Sequence, residues 1–385
     1  MPVSSAVTEA PTPRAGDRVL VAMSGGVDSS VAAALMVDAG CDVIGVTMKL
    51  HNDGADIVDR PCCSLDSTSD ARRVCETLGI PHYVTNLVDH FGQDVLDDFV
   101  QEYARGRTPI PCVRCNTFTK FRDLLAKADA IEAPWMATGH YVRMGIHHGQ
   151  RVMRRGLDAA KDQSYFLWGI DHSVLNRLVL PVGAQTKAET RDIARRFGLR
   201  TAEKLESQDI CFVPDGDHVR VLREQLGADA PALSRGPLRL VNGDVIGEHD
   251  GFARFTIGQR KGLPGGFAEP MFVVDIVPAE RAVVIGPREA LLGRGVIARE
   301  LNWLTDIPGV GDTVTVQVRN RAKAATATVV RLADDEIELA LEEAVTAISP
   351  GQSLVMYHGD VVVGGGVIER GMRGEKRAGL PILAA

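Results

Sequence analysis

Short apolar runs alternate with amphipathic segments through the first half of the chain, an order that predicts a parallel β-sheet covered by helices. Residues 18–23 read as a first strand, 29–39 as a helix stopped at Gly40, and 42–49 as a second strand. A turn carrying Cys62 and Cys63 follows, then a helix over 69–78 stopped at Gly79 and a strand over 82–87. Phe91, Val95, Phe99 and Tyr103 recur at i+4 spacing, one apolar stripe of a helix facing the core. Phe118, Phe121, Leu125 and Ala128 mark a further helix, and 135–138 the strand after it. A helix over 186–197 opens on Thr186 and Glu189, the pattern of a capping box, and ends at Gly198.

After about residue 214 the texture turns Gly- and Pro-rich with shorter runs. Beyond about 287 it becomes period-2 alternation, over 313–319, 325–330, 336–341, 353–357 and 361–368, which predicts a small β-barrel. The expected organisation is a disordered tail (1–15), an α/β domain with a parallel sheet (16–214), a central domain (215–286) and a C-terminal β-barrel domain (287–385). With 385 residues and 45% hydrophobic side chains the chain can bury a sizeable core. The tail has no apolar run that could act as a signal core, and no stretch approaches the roughly 20 apolar residues of a membrane span. A soluble, cytoplasmic monomer without membrane contact is expected.

The net charge of −7 argues weakly against a nucleic-acid partner. Its distribution alters that picture, because residues 101–204 carry 18 Lys and Arg against 10 Asp and Glu. A basic middle third, including Arg154, Arg155 and Lys161, is either a phosphate-contacting surface or a solvated face.

The first predicted strand runs directly into Ser24-Gly25-Gly26-Val27-Asp28-Ser29-Ser30 and a helix. Adjacent glycines let backbone amides approach a phosphate, the helix N-terminus adds its positive dipole end, and Asp28 could hold Mg2+. This is not a Walker loop, since it lacks the closing Gly-Lys-[Ser/Thr] and has no lysine to grip β- and γ-phosphates. It resembles the pyrophosphate (PP) loop of ATP pyrophosphatases, which cleave ATP between the α- and β-phosphates. Met48 and Gly139 end two further predicted strands, where open α/β sheets bind ligands.

Seven cysteines without a secretion signal suggest reactive or metal-binding thiols rather than a disulfide framework. Cys41 and Cys75 lie in apolar or helical patterns and read as small buried hydrophobes. In Arg107-Thr108-Pro109-Ile110-Pro111-Cys112-Val113-Arg114-Cys115-Asn116 two thiols stand among basic residues, expected just before a helix, where the thiolate is favoured. No second Cys-x-x-Cys completes a zinc finger. Cys211, in Glu206-Ser207-Gln208-Asp209-Ile210-Cys211-Phe212, is the third candidate, and Cys115 with Cys211 suits a carrier thiol and a releasing thiol.

Six motifs then occur in order: Ser24–Ser29, Thr138-Gly139-His140-Tyr141, Lys161-Asp162-Gln163-Ser164-Tyr165, Ser207–Phe212, Thr256-Ile257-Gly258-Gln259-Arg260-Lys261-Gly262 and Pro350-Gly351-Gln352. As a set they resemble the bacterial tRNA-specific 2-thiouridylases over the whole chain past the tail. The resemblance implies ATP-dependent thiolation at C2 of the wobble uridine in tRNAs for Lys, Glu and Gln, with a persulfide donor protein as partner. It makes Cys211 the persulfide carrier and Cys115 the partner nucleophile, able to form a transient disulfide with it. It assigns Ala22, Met23, Ser24, Gly25, Gly26, Val27, Asp28, Ser29, Met48 and Gly139 to ATP. Ile110, Pro111 and Cys112 would border the target base; His140, Lys161, Asp162, Gln163, Arg319, Asn320 and Gln352 would contact tRNA. Two positions depart from the family pattern: Cys112 stands where many members carry Asp, and Asn320 where an aromatic residue is commoner. With Cys112 present, Cys112, Cys115 and Cys211 could instead ligate an iron–sulfur cluster. A small-molecule adenylating enzyme and a non-catalytic RNA- or metal-binding module are the rival readings.

Overall fold

The computed structural model describes residues 7–51, 65–205 and 210–373. Cys62, Cys63 and the Glu206–Asp209 part of the Cys211 motif lie outside them. Five parallel strands form the first sheet in the order His82–Asn86, Asp42–Lys49, Arg18–Ala22, Trp135–Ala137, Leu178–Val179. Chain order runs outward in both directions from Arg18–Ala22, so the topological switch point lies at that strand's carboxyl end. Ligands bind at such a point because the loops on either side diverge and leave a crevice. Helices Val27–Asp38, Leu65–Leu78 and Lys187–Arg196 are placed as the periodicity predicts, the last opened by the Thr186/Glu189 capping box.

The central sheet orders Val245–Asp250, Arg235–Leu240, Ala282–Gly286 and Phe272–Val277. The predicted Phe91–Tyr103 stripe serves two cores. Phe91 and Val95 pack beneath the first sheet's loops, whereas Phe99 and Tyr103 bury against Val221, Leu222, Phe252 and Val273 of the central domain.

Six antiparallel strands close the C-terminal barrel: Leu292–Trp303, Glu336–Thr346, Ala325–Leu332, Thr313–Gln317, Ser353–His358 and Val361–Met372, the last two also pairing with each other. A hairpin of the first domain, Val142–His147 with Gln150–Arg155, joins this sheet where Val361 pairs with Arg154. The tail expectation needs correcting for residues 7–15. Thr8 and Glu9 pair with Ile146 and Gly145 at the hairpin edge, and Arg151 Nη1 donates to the Pro11 carbonyl oxygen at 2.8 Å. Backbone pairing on an open strand edge orders this stretch although its composition offers little to bury. Among the described residues no helix is long and apolar enough to cross a membrane.

Candidate active site

Met23 N–H bonds to the Val46 carbonyl oxygen (2.8 Å), and the chain then leaves the sheet at Ser24. Gly25 turns with φ +71°, and a Cβ there would collide with the Ser67 carbonyl oxygen on helix Leu65–Leu78, so only glycine fits. Ser29 Oγ accepts from Ser24 N–H at 3.1 Å, and the Ser29 and Ser30 hydroxyls donate to the Gly26 carbonyl oxygen. The hydroxyls therefore brace the loop from inside. Met23, Val27 and Ser29 are buried, leaving Ser24 as the exposed side chain of the segment. Gly139 presses on the opposite flank: a Cβ there would lie 2.5 Å from the backbone of Asp28 and Ser29.

The cation missing from the loop arrives from far along the chain. Lys187 Nζ meets both Asp28 oxygens, at 2.7 and 2.9 Å, and the Tyr141 hydroxyl donates to Asp28 Oδ1 at 2.9 Å. Lys204 Nζ donates to the Gly25 carbonyl oxygen at 3.1 Å and to Asp70 Oδ2 at 2.7 Å. Neither lysine was singled out in the sequence; the single available signal for Lys187 is its place at the first turn of a strongly capped helix.

Cys112 and Cys115 lie inside a helix rather than before one. Pro111, whose fixed φ suits a first helical position, starts a turn over Pro111–Arg114 that widens to π geometry over Cys115–Lys120. Cys112 is exposed and Cys115 buried. Cys115 packs with Leu50, Leu87, Phe91 and Val95, and Met48, Cys211 and Phe212 pack on that same cluster. Phe212 meets Phe91 and Phe99 edge-on, with centroids at 5.5 and 5.0 Å, and so fixes the chain beside Cys211. Met48, near the end of Asp42–Lys49, thus links the strand beside the loop to the cluster on which both cysteines pack.

The basic residues flanking these thiols are held by carboxylates. Arg114 pairs with Asp98 (3.0 Å) and Glu300 of the barrel (2.6 Å), and Arg107 with Glu102 (2.7 Å) and Glu369 (2.6 Å). These ion pairs tie the segment to the preceding helix through Asp98 and Glu102 and to the barrel through Glu300 and Glu369. Ile110, Val113, Arg114 and Phe118 line a cavity of about 620 Å³ against the barrel. Among the described residues no group of three or more His, Cys, Asp or Glu side chains is placed to hold a metal.

Most residues expected at tRNA have internal partners. Asp162 accepts from Gly156 N–H, from Ser164 N–H and hydroxyl, and from Arg155. Gln163 Oε1 accepts from Tyr141 N–H at 2.9 Å. Gln352 Nε2 donates to the Thr108 carbonyl oxygen at 2.9 Å. His140 bonds to Thr138 Oγ1 at 2.8 Å, and burial with the nearby Lys120 charge pushes its pKa down to about 3. Lys161 and Asn320 are half-buried and Arg319 is exposed. Arg154 pairs with Asp360, and Arg155 pairs with Asp162 and donates to Gln317 Oε1 at 3.1 Å, so this part of the basic cluster joins the hairpin to the barrel through Asp360 and Gln317.

Three family models match the chain in sequence: a tRNA methyl transferase HUP domain over residues 17–215, a tRNA methyl transferase PRC-barrel domain over 226–287 and an aminomethyltransferase β-barrel domain over 293–368. A tRNA-specific 2-thiouridylase of Carboxydothermus hydrogenoformans is 44% identical over 360 residues, covering 92% of this chain and 98% of the relative. The chain belongs to the tRNA-specific 2-thiouridylase family. Further 2-thiouridylases, of Geotalea uraniireducens and Rhodospirillum centenum, are 45% and 44% identical and cover 91% and 95% of this chain. At such identity, over nearly the full length of both chains, the family's three-domain layout holds here: parallel-sheet domain, central domain and closed barrel.

Proposed function

We propose that this chain is an ATP-dependent tRNA-uridine 2-sulfurtransferase acting at C2 of the wobble uridine in tRNAs for Lys, Glu and Gln. The observation that carries the reading is the position of Met48, which joins the strand beside the Ser24–Ser29 loop to the cluster holding Cys115 and Cys211. The loop and both thiols are thereby linked through one strand, which supports the reading in a family whose curated relatives are named 2-thiouridylases.

In the proposed reaction the uracil, flipped out of its stack, presents O2 to the ATP α-phosphate. A bond forms from O2 to that phosphorus while its bond to the bridging oxygen breaks, releasing pyrophosphate. The terminal sulfur of a Cys211 persulfide attacks C2 and AMP departs. The Cys115 thiolate then attacks Sγ of Cys211, the sulfur–sulfur bond breaks with its electron pair left on the sulfur bound at C2, and an external thiol reduces the resulting disulfide. A persulfide on a relay protein supplies the sulfur. Asp28 suits Mg2+, which takes few protein carboxylates and fills its shell with water and phosphate oxygens; bound there, it would neutralise charge on the polyphosphate. Lys187 holds that carboxylate in place.

Product analysis with α-labelled ATP tests the chemistry. Label should appear in AMP only when substrate tRNA is present, with stoichiometric pyrophosphate. ADP and phosphate as the tRNA-dependent products would refute it.

A further inference from the structure

Helix Lys187–Arg196 places two lysines at the loop, not one. Lys187, in its first turn, reaches Asp28. One turn later Arg191 bonds to the Ala202 carbonyl oxygen and to that of Lys204 (3.0 Å), clamping the short 3-10 turn Arg200–Glu203 and the residue after it. The clamp aims Lys204 back at the loop, where its ammonium touches the Gly25 carbonyl oxygen at 3.1 Å. Gly25 is the residue held by helix Leu65–Leu78, and Asp70 of that helix is the second partner of Lys204.

Two features mark this contact as more than a brace. The Lys204–Asp70 pair is partly exposed, at 29% and 27%, and such pairs contribute little net stability, so exchanging Asp70 for another anion costs little. The ammonium also lies on the backbone of the loop that would cradle a polyphosphate, where a charge-assisted hydrogen bond to phosphate is strong.

We infer that Lys204 is a polyphosphate-binding residue, exchanging Asp70 for the β,γ side of ATP and stabilising the departing pyrophosphate. The inference rests on the ATP-dependent reading above and supplies a residue for it. With Lys187 occupied by Asp28, Lys204 takes the role of the lysine that a Walker loop carries within itself. It also connects nucleotide binding to the chain segment that leads to Cys211.

Calorimetric titration of the full-length protein with Mg-ATP and, separately, with AMP tests this without tRNA or sulfur donor. Lys204→Met should raise the ATP dissociation constant about 10- to 100-fold, the loss expected for one charge-assisted contact. AMP affinity should be unchanged, and Lys204→Arg should restore ATP binding to within a few-fold. Equal ATP affinity in the wild type and Lys204→Met would overturn the inference, and so would parallel loss of ATP and AMP, which would mark a purely structural lysine. Absence of ATP binding by the wild type would instead refute the ATP-dependent reading.

Discussion

Gln352 of the barrel donates its side-chain amide to the Thr108 carbonyl oxygen, 2.9 Å away, across the junction between the first and last domains. Beside it, Thr108 N–H bonds to the Pro350 carbonyl oxygen at 2.9 Å. Gly351 sits at φ +88°, where a Cβ would lie 2.9 Å from the Thr108 backbone. The Pro350–Gln352 turn therefore grips the stretch that leads into Cys112 and Cys115. Gln352→Ala should cost about 1 kcal/mol of stability and reduce thiolation about 10-fold through misplacement of the thiol helix. Gly351→Ala should be worse on both counts, since it adds strain to a clash. Thiolation rate and thermal unfolding, measured side by side, check the order.

Arg155 stacks its guanidinium 3.5 Å from the centroid of Tyr357 while pairing with Asp162 at 3.0 Å and with Gln317. Charge reversal at Arg155 should destabilise the hairpin–barrel junction by about 1–3 kcal/mol, discounted for partial exposure. Thermal unfolding should show a drop of several degrees. A variant that loses tRNA affinity with an unchanged melting temperature would restore the phosphate-contact role that the sequence suggested.

Thiol reactivity should separate the cysteines. Burial pushes the Cys75 thiol up to about 12, with Glu76 adding to the shift, and raises Cys41 as well. The thiolate is the reactive form, so Cys75 and Cys41 should resist alkylation at pH 8 while exposed Cys112 reacts first. Peptide mass spectrometry over a short iodoacetamide time course measures this. With the persulfide as sole sulfur carrier, Cys112→Ser should keep partial activity in an iron-free preparation, because serine keeps the size and some of the hydrogen-bonding capacity of the thiol.

His140 should contribute a pH-dependent term to stability. Its pKa falls from 6.5 to about 3 in the folded chain, so protonation favours the unfolded state. The contribution is fully present above about pH 6.5 and is lost as pH falls toward 3. His82 and His249 shift in the same direction, so the informative quantity is the difference between wild type and His140→Asn. Urea titrations between pH 7 and 4 should show a shallower fall in stability for the variant.

Contiguous features were legible in the sequence. The strand 18–22, the glycine turn and the helix behind it are local, and so is the capping box at Thr186; the barrel follows from period-2 alternation. Features built from distant partners were not. Asp28 and Lys187 are 159 residues apart, and no local pattern announces that they meet. The basic look of Arg107 and Arg114 misled for the same reason, because Glu369 and Glu300, which neutralise them, belong to the barrel. The internal partners of Asp162 and Gln352 were equally hidden, since Gly156 and Ser164 hold the one and Thr108 of another domain the other. Phe212, fixed between Phe91 and Phe99, could have been found from its adjacency to Cys211.

The central claim is that Cys211 carries sulfur to C2 of a tRNA uridine and Cys115 releases it. Nucleoside mass spectrometry after incubating unmodified substrate tRNA with ATP and an isotopically labelled persulfide donor tests it most directly. The wild type should yield labelled 2-thiouridine at the wobble position, and Cys211→Ser and Cys115→Ser should yield none while still forming AMP with tRNA. Normal 2-thiouridine from Cys211→Ser, or label at another nucleoside position, would contradict the account.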